Sequence, residues 1–296
     1  MKNLVVIFLI VLMIALCSYL FFFNPEGENI SNEKNFEEID IDYLKSYYSN
    51  KDDYEEAFEA VKCDDKKNIK AGIVSHHFLA KDMIAEFFAC INPESVENII
   101  IISPDHFDYL PNKRDSLMKT TLLDWDTPYG ILHSNKPFID DIKGNENITL
   151  DDTPFRTEHG VYTLIPFVQK VFPDAKVTPL ILENRDYYDK YFEIGKNFDK
   201  ENTILIASID FAHHVNVEEA NYYDQKSIQA LKSFNMEEID YIEADCNHCV
   251  AFLYGFLNEH SIDVNVLDNK TSKDFGWEED NDLTSYISVY YKHVEK

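Results

Sequence analysis

TILIASIDFAHH, residues 203–214, is a short Ile/Leu/Ala run that passes through Ile209 straight into Asp210 and the pair His213-His214. An apolar run of this length with little alternation reads as a strand covered on both faces. Two other stretches have the same form. AGIVS at 71–75 ends in His76-His77, and NIIIIS at 98–103 continues through Pro104 into Asp105-His106. Apolar runs at 176–183 and 285–291 add two more strands. Helical spacing predicts helices over 78–91, 160–172, 217–232 and 249–258, with Pro166 as a kink or first-turn residue. Strands alternating with helices imply an α/β class: a single layered domain with a mostly parallel central sheet flanked by helices.

The chain has 296 residues, enough for one large α/β domain, and no internal repeat divides it. It carries 27 Lys+Arg against 54 Asp+Glu, a formal charge of −27. Phosphate binding needs clustered cations, so nucleic acid is excluded as a main partner. Docking on anionic lipid through a basic patch is excluded for the same reason. There are only 8 Gly, and neither GxGxxG nor GxxxxGK[ST] occurs, which argues against a glycine-rich phosphate cradle. Five cysteines are too few at this length for a disulfide scaffold.

Residues 4–23, LVVIFLIVLMIALCSYLFFF, carry no charge. As a helix they would be roughly 30 Å long, one hydrocarbon thickness, which predicts an N-terminal transmembrane helix before the domain. Phe21, Phe22 and Phe23 close the run where a cleaved signal would have small residues, and Leu16 before Cys17 argues against a lipoprotein signal. Lys2 precedes the span and only Lys34 among the next twenty residues is basic. The positive-inside rule then predicts a single-pass membrane protein with its main domain extracytoplasmic. The expected organisation is an anchor at 1–23, an acidic tether at 24–66 and an α/β domain at 67–296. The tether holds 14 acidic and 5 basic side chains. Tyr43, Leu44, Tyr47, Tyr48, Tyr54, Phe58 and Val61 predict a surface helix within 41–62 whose tyrosines face the core.

Ligands of open α/β sheets bind beyond the carboxyl ends of the strands. The clusters at His76-His77, Asp105-His106 and Asp210 to His214 should therefore converge. Glu158-His159 and Cys246-Asn247-His248-Cys249 each precede a helix, and seven of the ten histidines lie in these five clusters. Such a gathering predicts a polar site. Imidazole, carboxylate and thiolate suit Zn, Fe(II) or Cu. A serine triad fits worse, since no GxSxG is present and Ser75, Ser103 and Ser208 lie inside strand ends. A nucleophilic Cys246 or Cys249 would leave most of the histidines unexplained. The C-x-x-C pair reads either as a disulfide or as a metal or free-thiol site. Cys90 reads as core and Cys63 as incidental.

HHFLA after a strand, SPDHF after a strand, DWDTPYG at 124–130, TEHGVYTLIPF at 157–167, SIDFAHH at 208–214 and DCN at 245–247 follow one another in an order that resembles the Memo-like family, whose bacterial and archaeal members are called AmmeMemoRadiSam system protein B. The resemblance covers about 70–292. It implies the fold of class III extradiol dioxygenases, with a metal at the strand ends. Carried over position by position, it implies His76, His106 and Cys246 as metal ligands, Fe(II) favoured over Zn or Cu. It places Asp210 and His213 near the metal and His159 in the same pocket. On that basis His159 and His213 are candidate acid/base groups, and Asp210 orients His213 or a water. The chain departs from the family pattern at His77-Phe78-Leu79, at Phe107, where a second histidine is usual, and at Asn247, where glycine is usual. The expected function is a non-haem metal-dependent oxidoreductase acting on a small, phenolic substrate. The alternatives are a non-catalytic membrane-tethered module that binds a metal or a partner, and a metal-dependent hydrolase. No protein partner is named by the sequence.

Overall fold

A computed structural model describes residues 42–63, 65–94, 96–107, 116–183 and 185–294. From Asp42 onward the chain forms one compact unit. In chain order the strands are β1 (Leu44–Lys45), β2 (Ala71–Val74), β3 (Asn98–Pro104), β4 (Met118–Thr120), β5 (Trp125–Thr127), β6 (Gly130–Leu132), β7 (Ile148–Leu150), β8 (Lys176–Leu182), β9 (Thr203–Ser208), β10 (Ile262–Thr271) and β11 (Ser285–His293). The helices are α1 (Lys51–Glu59), α2 (Lys81–Ala89), α3 (Lys136–Ile142), α4 (His159–Tyr162), α5 (Ile165–Val171), α6 (Tyr188–Gly195), α7 (Val217–Ser233) and α8 (Asn247–Phe256).

One large sheet has the order β10-β11-β2-β9-β3-β8-β4-β7, and β1, β5 and β6 form a small second sheet. The four central strands β2, β9, β3 and β8 are parallel. The flanks are not: β11 runs antiparallel to β2 and β10, and β4 runs antiparallel to β8. The sheet is therefore mixed, with a parallel centre, rather than mostly parallel throughout. The reason is local. β10 returns into β11 along the same edge, which an antiparallel pair permits without a helical crossover. β10 alternates half-buried and exposed residues, the pattern of a one-sided edge strand, and so shows no apolar run to find in the sequence.

Side chains alternate across a strand, and here both directions are buried. Ile100, Ile102, Leu205 and Ala207 pack with Tyr191 and Ile194 of α6 and Phe252 and Leu253 of α8. Ile99, Ile101, Ile204 and Ile206 pack with Phe87 and Phe88 of α2 and Phe167 and Val168 of α5. Each such isoleucine contributes about 1.5–3 kcal/mol by leaving water. The helical stretch at 160–172 is two helices, and Pro166 falls in the first turn of α5, where its missing N–H costs nothing.

Residues ahead of β2 pack on the second of these faces. Asn50 caps α1, and the buried Tyr54 ring meets Phe78 at 5.3 Å and Phe167 at 5.0 Å. Leu44 is buried too, whereas Tyr47, outside the helix, is 72% exposed and stacks on Tyr162 at 5.5 Å. Cys63 and Cys90 are neither incidental nor plain core. They form a disulfide that ties the segment after α1 to the end of α2, with Cα atoms 5.5 Å apart. By chain entropy a loop of this size stabilises by roughly 3–4 kcal/mol.

The expected membrane localisation is corrected. Among the described residues no helix is long and apolar enough to cross a membrane. The longest, α7, carries Glu218, Glu219, Asp224, Lys226 and Lys232 over its 17 residues. The most apolar, α8, has 10 residues and spans only about 15 Å. Residues 4–23 lie outside the described residues.

Helices α6 and α8 cross closely because each offers a glycine. A Cβ on Gly195 would lie 2.2 Å from the Phe252 carbonyl oxygen, and one on Gly255 2.0 Å from that of Phe192. Both obstacles are backbone and cannot swing aside. Gly255→Ala should therefore destabilise the domain by about 1–3 kcal/mol or more. Urea unfolding should show a lower midpoint at unchanged slope.

Candidate metal centre

β2, β9 and β3 are neighbours running the same way, so their carboxyl ends share one edge. His76, Asp210 and His106 follow those ends. α4 starts beside them and adds His159 in its first turn, behind its N-cap Glu158. His76, His106 and His159 each bring one ring nitrogen into a group whose atoms all lie within 4.8 Å of one another. Ring centroids are 4.0 Å apart for His106–His159, 4.9 Å for His76–His106 and 5.0 Å for His76–His159.

Two of the rings are held from behind. His76 Nδ1 lies 3.1 Å from the Ser208 hydroxyl, which itself donates to the Gly160 carbonyl. His106 Nδ1 lies 2.6 Å from Glu158 Oε1. The buried Glu158 carboxylate also accepts from the backbone N–H groups of His106 at 3.0 Å and Gly160 at 2.9 Å. With Nδ1 engaged, both Nε2 atoms turn toward one oxygen. Asp245 Oδ2 is 3.4 Å from Nε2 of His76 and 3.5 Å from Nε2 of His106. The other oxygen, Oδ1, is buried and has no hydrogen-bond partner among the described residues.

The electrostatics follow from this packing. Burial holds the His76 imidazole down at about 3, so it is neutral at ordinary pH. Burial would also depress His106, but hydrogen bonds to Asp245 and Glu158 outweigh it and raise the ring to about 10. His159 is lowered by burial and by the charge on His106. Burial works against ionisation of Asp210, yet His76 and the Ser75 hydroxyl keep its carboxyl below the ordinary range. Burial lifts Asp245 to about 7. The His106 ring thus lies between the Glu158 and Asp245 carboxylates, a position that favours positive charge.

Three imidazoles and a carboxylate with an orphaned oxygen fit a divalent transition metal. Such ligating histidines engage their second nitrogen as His76 and His106 do here. His213 is an exposed residue whose ring is lowered by partial desolvation and by His214, His106 and His77, against the pull of Asp210. It stands at the rim of the same field. Cys246 is elsewhere. The third member of the group is His159, while Cys246 is joined to Cys249 and lies 3.2 Å from His248 Nε2. Sequence reasoning placed Glu158 in a cluster with His159 but gave it no role, and it did not single out Asp245, whose signal was adjacency to Cys246.

Fold and site together define an α/β protein with a histidine-rich centre able to hold a metal at its strand ends. The family described as Memo-like protein matches residues 43–250, and the chain belongs to that family. It is similar to a MEMO1 family protein of Nitrosopumilus maritimus, 25% identical over 159 residues, covering 51% of this chain and 55% of the relative. A MEMO1 family protein of Methanococcoides burtonii is 27% identical over 150 residues, 48% of this chain and 54% of the relative. One from Archaeoglobus fulgidus is 24% identical over 210 residues, 66% of this chain and 76% of the relative. The chain spans about half the length of the first two of these relatives.

Glu158→Gln keeps the side-chain shape but removes the charge that anchors His106. Metal retention should fall about 10–100-fold, as for other outer partners of metal-bound histidines. Competition with a chromophoric chelator measures it, and circular dichroism should stay unchanged.

Proposed function

We propose that this Memo-like protein is a non-haem metal-dependent oxidoreductase, related to the class III extradiol dioxygenases and acting on a small phenolic substrate. The observation that carries this reading is the convergence of the His76 and His106 Nε2 atoms with Nδ1 of each already engaged. His76, His106 and His159 would hold the metal, with Asp245 as oxygen donor, and Fe(II) suits that set when turnover with dioxygen is required. The metal would supply the one-electron chemistry with dioxygen that aromatic ring cleavage needs.

The chain's own groups have separate tasks. Asp210 takes the Ser75 hydroxyl and the His76 backbone N–H and so fixes the loop that carries His76. His213, its ring lowered from the ordinary histidine range by partial desolvation, is the group at the rim that would accept a substrate hydroxyl proton. Phe107 is 51% exposed, and its ring lies 6.0 Å from His159. An aromatic wall beside the metal ligands supports an aromatic substrate.

The test is metal analysis of the full chain purified without oxygen or chelator, beside the His76→Ala/His106→Ala double variant. About one Fe per chain, absent from the variant, with oxygen uptake on adding catechols, is the expected outcome. Zn at that level with ester hydrolysis and no oxygen uptake would move the protein to the hydrolases. Wild-type metal content in the variant would overturn the ligand assignment.

A further inference from the structure

The second group of ligand atoms lies outside the centre described above. Cys246, His248 and Cys249 bring two sulfurs and an imidazole nitrogen within 4.8 Å of one another, and all three residues are buried. We propose that this trio is a second metal site, available only when the Cys246–Cys249 bond is reduced, and that it takes Zn2+.

The placement is local and does not depend on the first centre. Cys246 is the N-cap of α8, and Cys249 lies in its first turn, so C-x-x-C puts both sulfurs at one helix end with Cα atoms 5.2 Å apart. That spacing is a common half of a structural zinc site. His248 lies between them in sequence, with Nε2 3.2 Å from Cys246 Sγ. Its buried ring packs against Tyr191 of α6, with centroids 5.4 Å apart, which holds it in place beside the sulfurs.

Charge selects the metal. Cys246 and Cys249 belong to the apolar cluster formed with Phe211, Val250 and Leu253. A net charge there would be costly. Zn2+ with two thiolates and a neutral imidazole carries none, whereas a monovalent metal in the same set would leave a buried negative charge. The surroundings therefore favour a divalent, thiophilic ion.

The chemistry balances. A dithiol reductant gives two electrons and two protons to the Cys246–Cys249 bond and closes to its own disulfide, leaving two thiols. The entering Zn2+ displaces the two thiol protons to solvent. Oxidation of the dithiol by a disulfide oxidant expels the metal and restores the structure seen here. Bond and metal are thus mutually exclusive occupants of the same two sulfurs.

Co2+ serves as the probe, because thiolate coordination gives it an intense near-ultraviolet charge-transfer band that histidine coordination lacks. The full chain is titrated with Co2+ before and after anaerobic treatment with excess dithiol and its removal. The band should be absent from the unreduced chain. It should appear on reduction with one further Co2+ bound per chain, and Zn2+ should bleach it. It should persist in reduced His76→Ala/His106→Ala, and be lost in reduced Cys249→Ser. A reduced wild-type chain without the band overturns the proposal. Loss of the band in the double histidine variant also overturns it, since Cys246 would then serve the first centre. So does a full band in Cys249→Ser. Dithiol also opens the Cys63–Cys90 bond, so the band should persist in reduced Cys63→Ser/Cys90→Ser, and its loss there would overturn the proposal. Failure of the first centre alone would leave the thiolate band intact, so the two outcomes are distinguishable.

Discussion

Val74 of β2 stands opposite Ser208 of β9, and Ala207 of β9 stands opposite Ile102 of β3, with all three strands running the same way. Neighbouring strands lie only about 4.8 Å apart. Whatever follows their carboxyl ends is therefore delivered to one place, and here that is His76, Asp210 and His106. Antiparallel neighbours would send these residues to opposite edges of the sheet. The antiparallel pairs of the large sheet, β10-β11, β11-β2 and β8-β4, use other edges and leave the β2-β9 and β9-β3 pairings intact. The site thus depends on two parallel pairings, β2-β9 and β9-β3, buried on both faces by the two apolar clusters.

That dependence explains what could be read from the sequence. A both-faces-buried strand is a continuous apolar run, and a run ending in histidine is a position at the sheet edge. His76, His106 and Asp210 could be grouped on that basis, and His159 joined them only through the family resemblance. Contacts that close long loops leave no such trace. The Cys63–Cys90 bond joins a segment that looked like a solvated tether to a helix that looked like plain core. Composition there is dominated by the charged face of α1, while Leu44, Tyr54 and Ala57 are wholly buried. β10 escaped for the opposite reason, since a one-sided edge strand with Asp263, Asn265 and Asp268 carries too little apolar density to stand out.

The second partners of the histidines were the least legible part. Glu158 acts through its carboxylate on His106 and through its cap position on α4, two roles that only the folded geometry joins. Asp245 reaches the centre because α8 begins just after it. Its backbone N–H donates to the Asp210 carbonyl at 3.1 Å, which fixes the residue against the end of β9. A scan for ligand spacing finds Cys246 there first. The geometry instead presents its neighbour's carboxylate to His76 and His106.

One residue's difference in register thus separates two kinds of site. Asp245 faces the polar pocket, where its carboxylate and that of Glu158 converge on the His106 ring. Cys246 faces the other way, into an apolar cluster where a charge is tolerated only if its ligands cancel it. A hard oxygen donor beside imidazoles suits a metal that binds oxygen ligands, and two thiolates beside an imidazole suit a soft, thiophilic one. Adjacent residues in one chain, 245 and 246, therefore have opposite chemistry because the start of α8 turns them toward environments of opposite polarity.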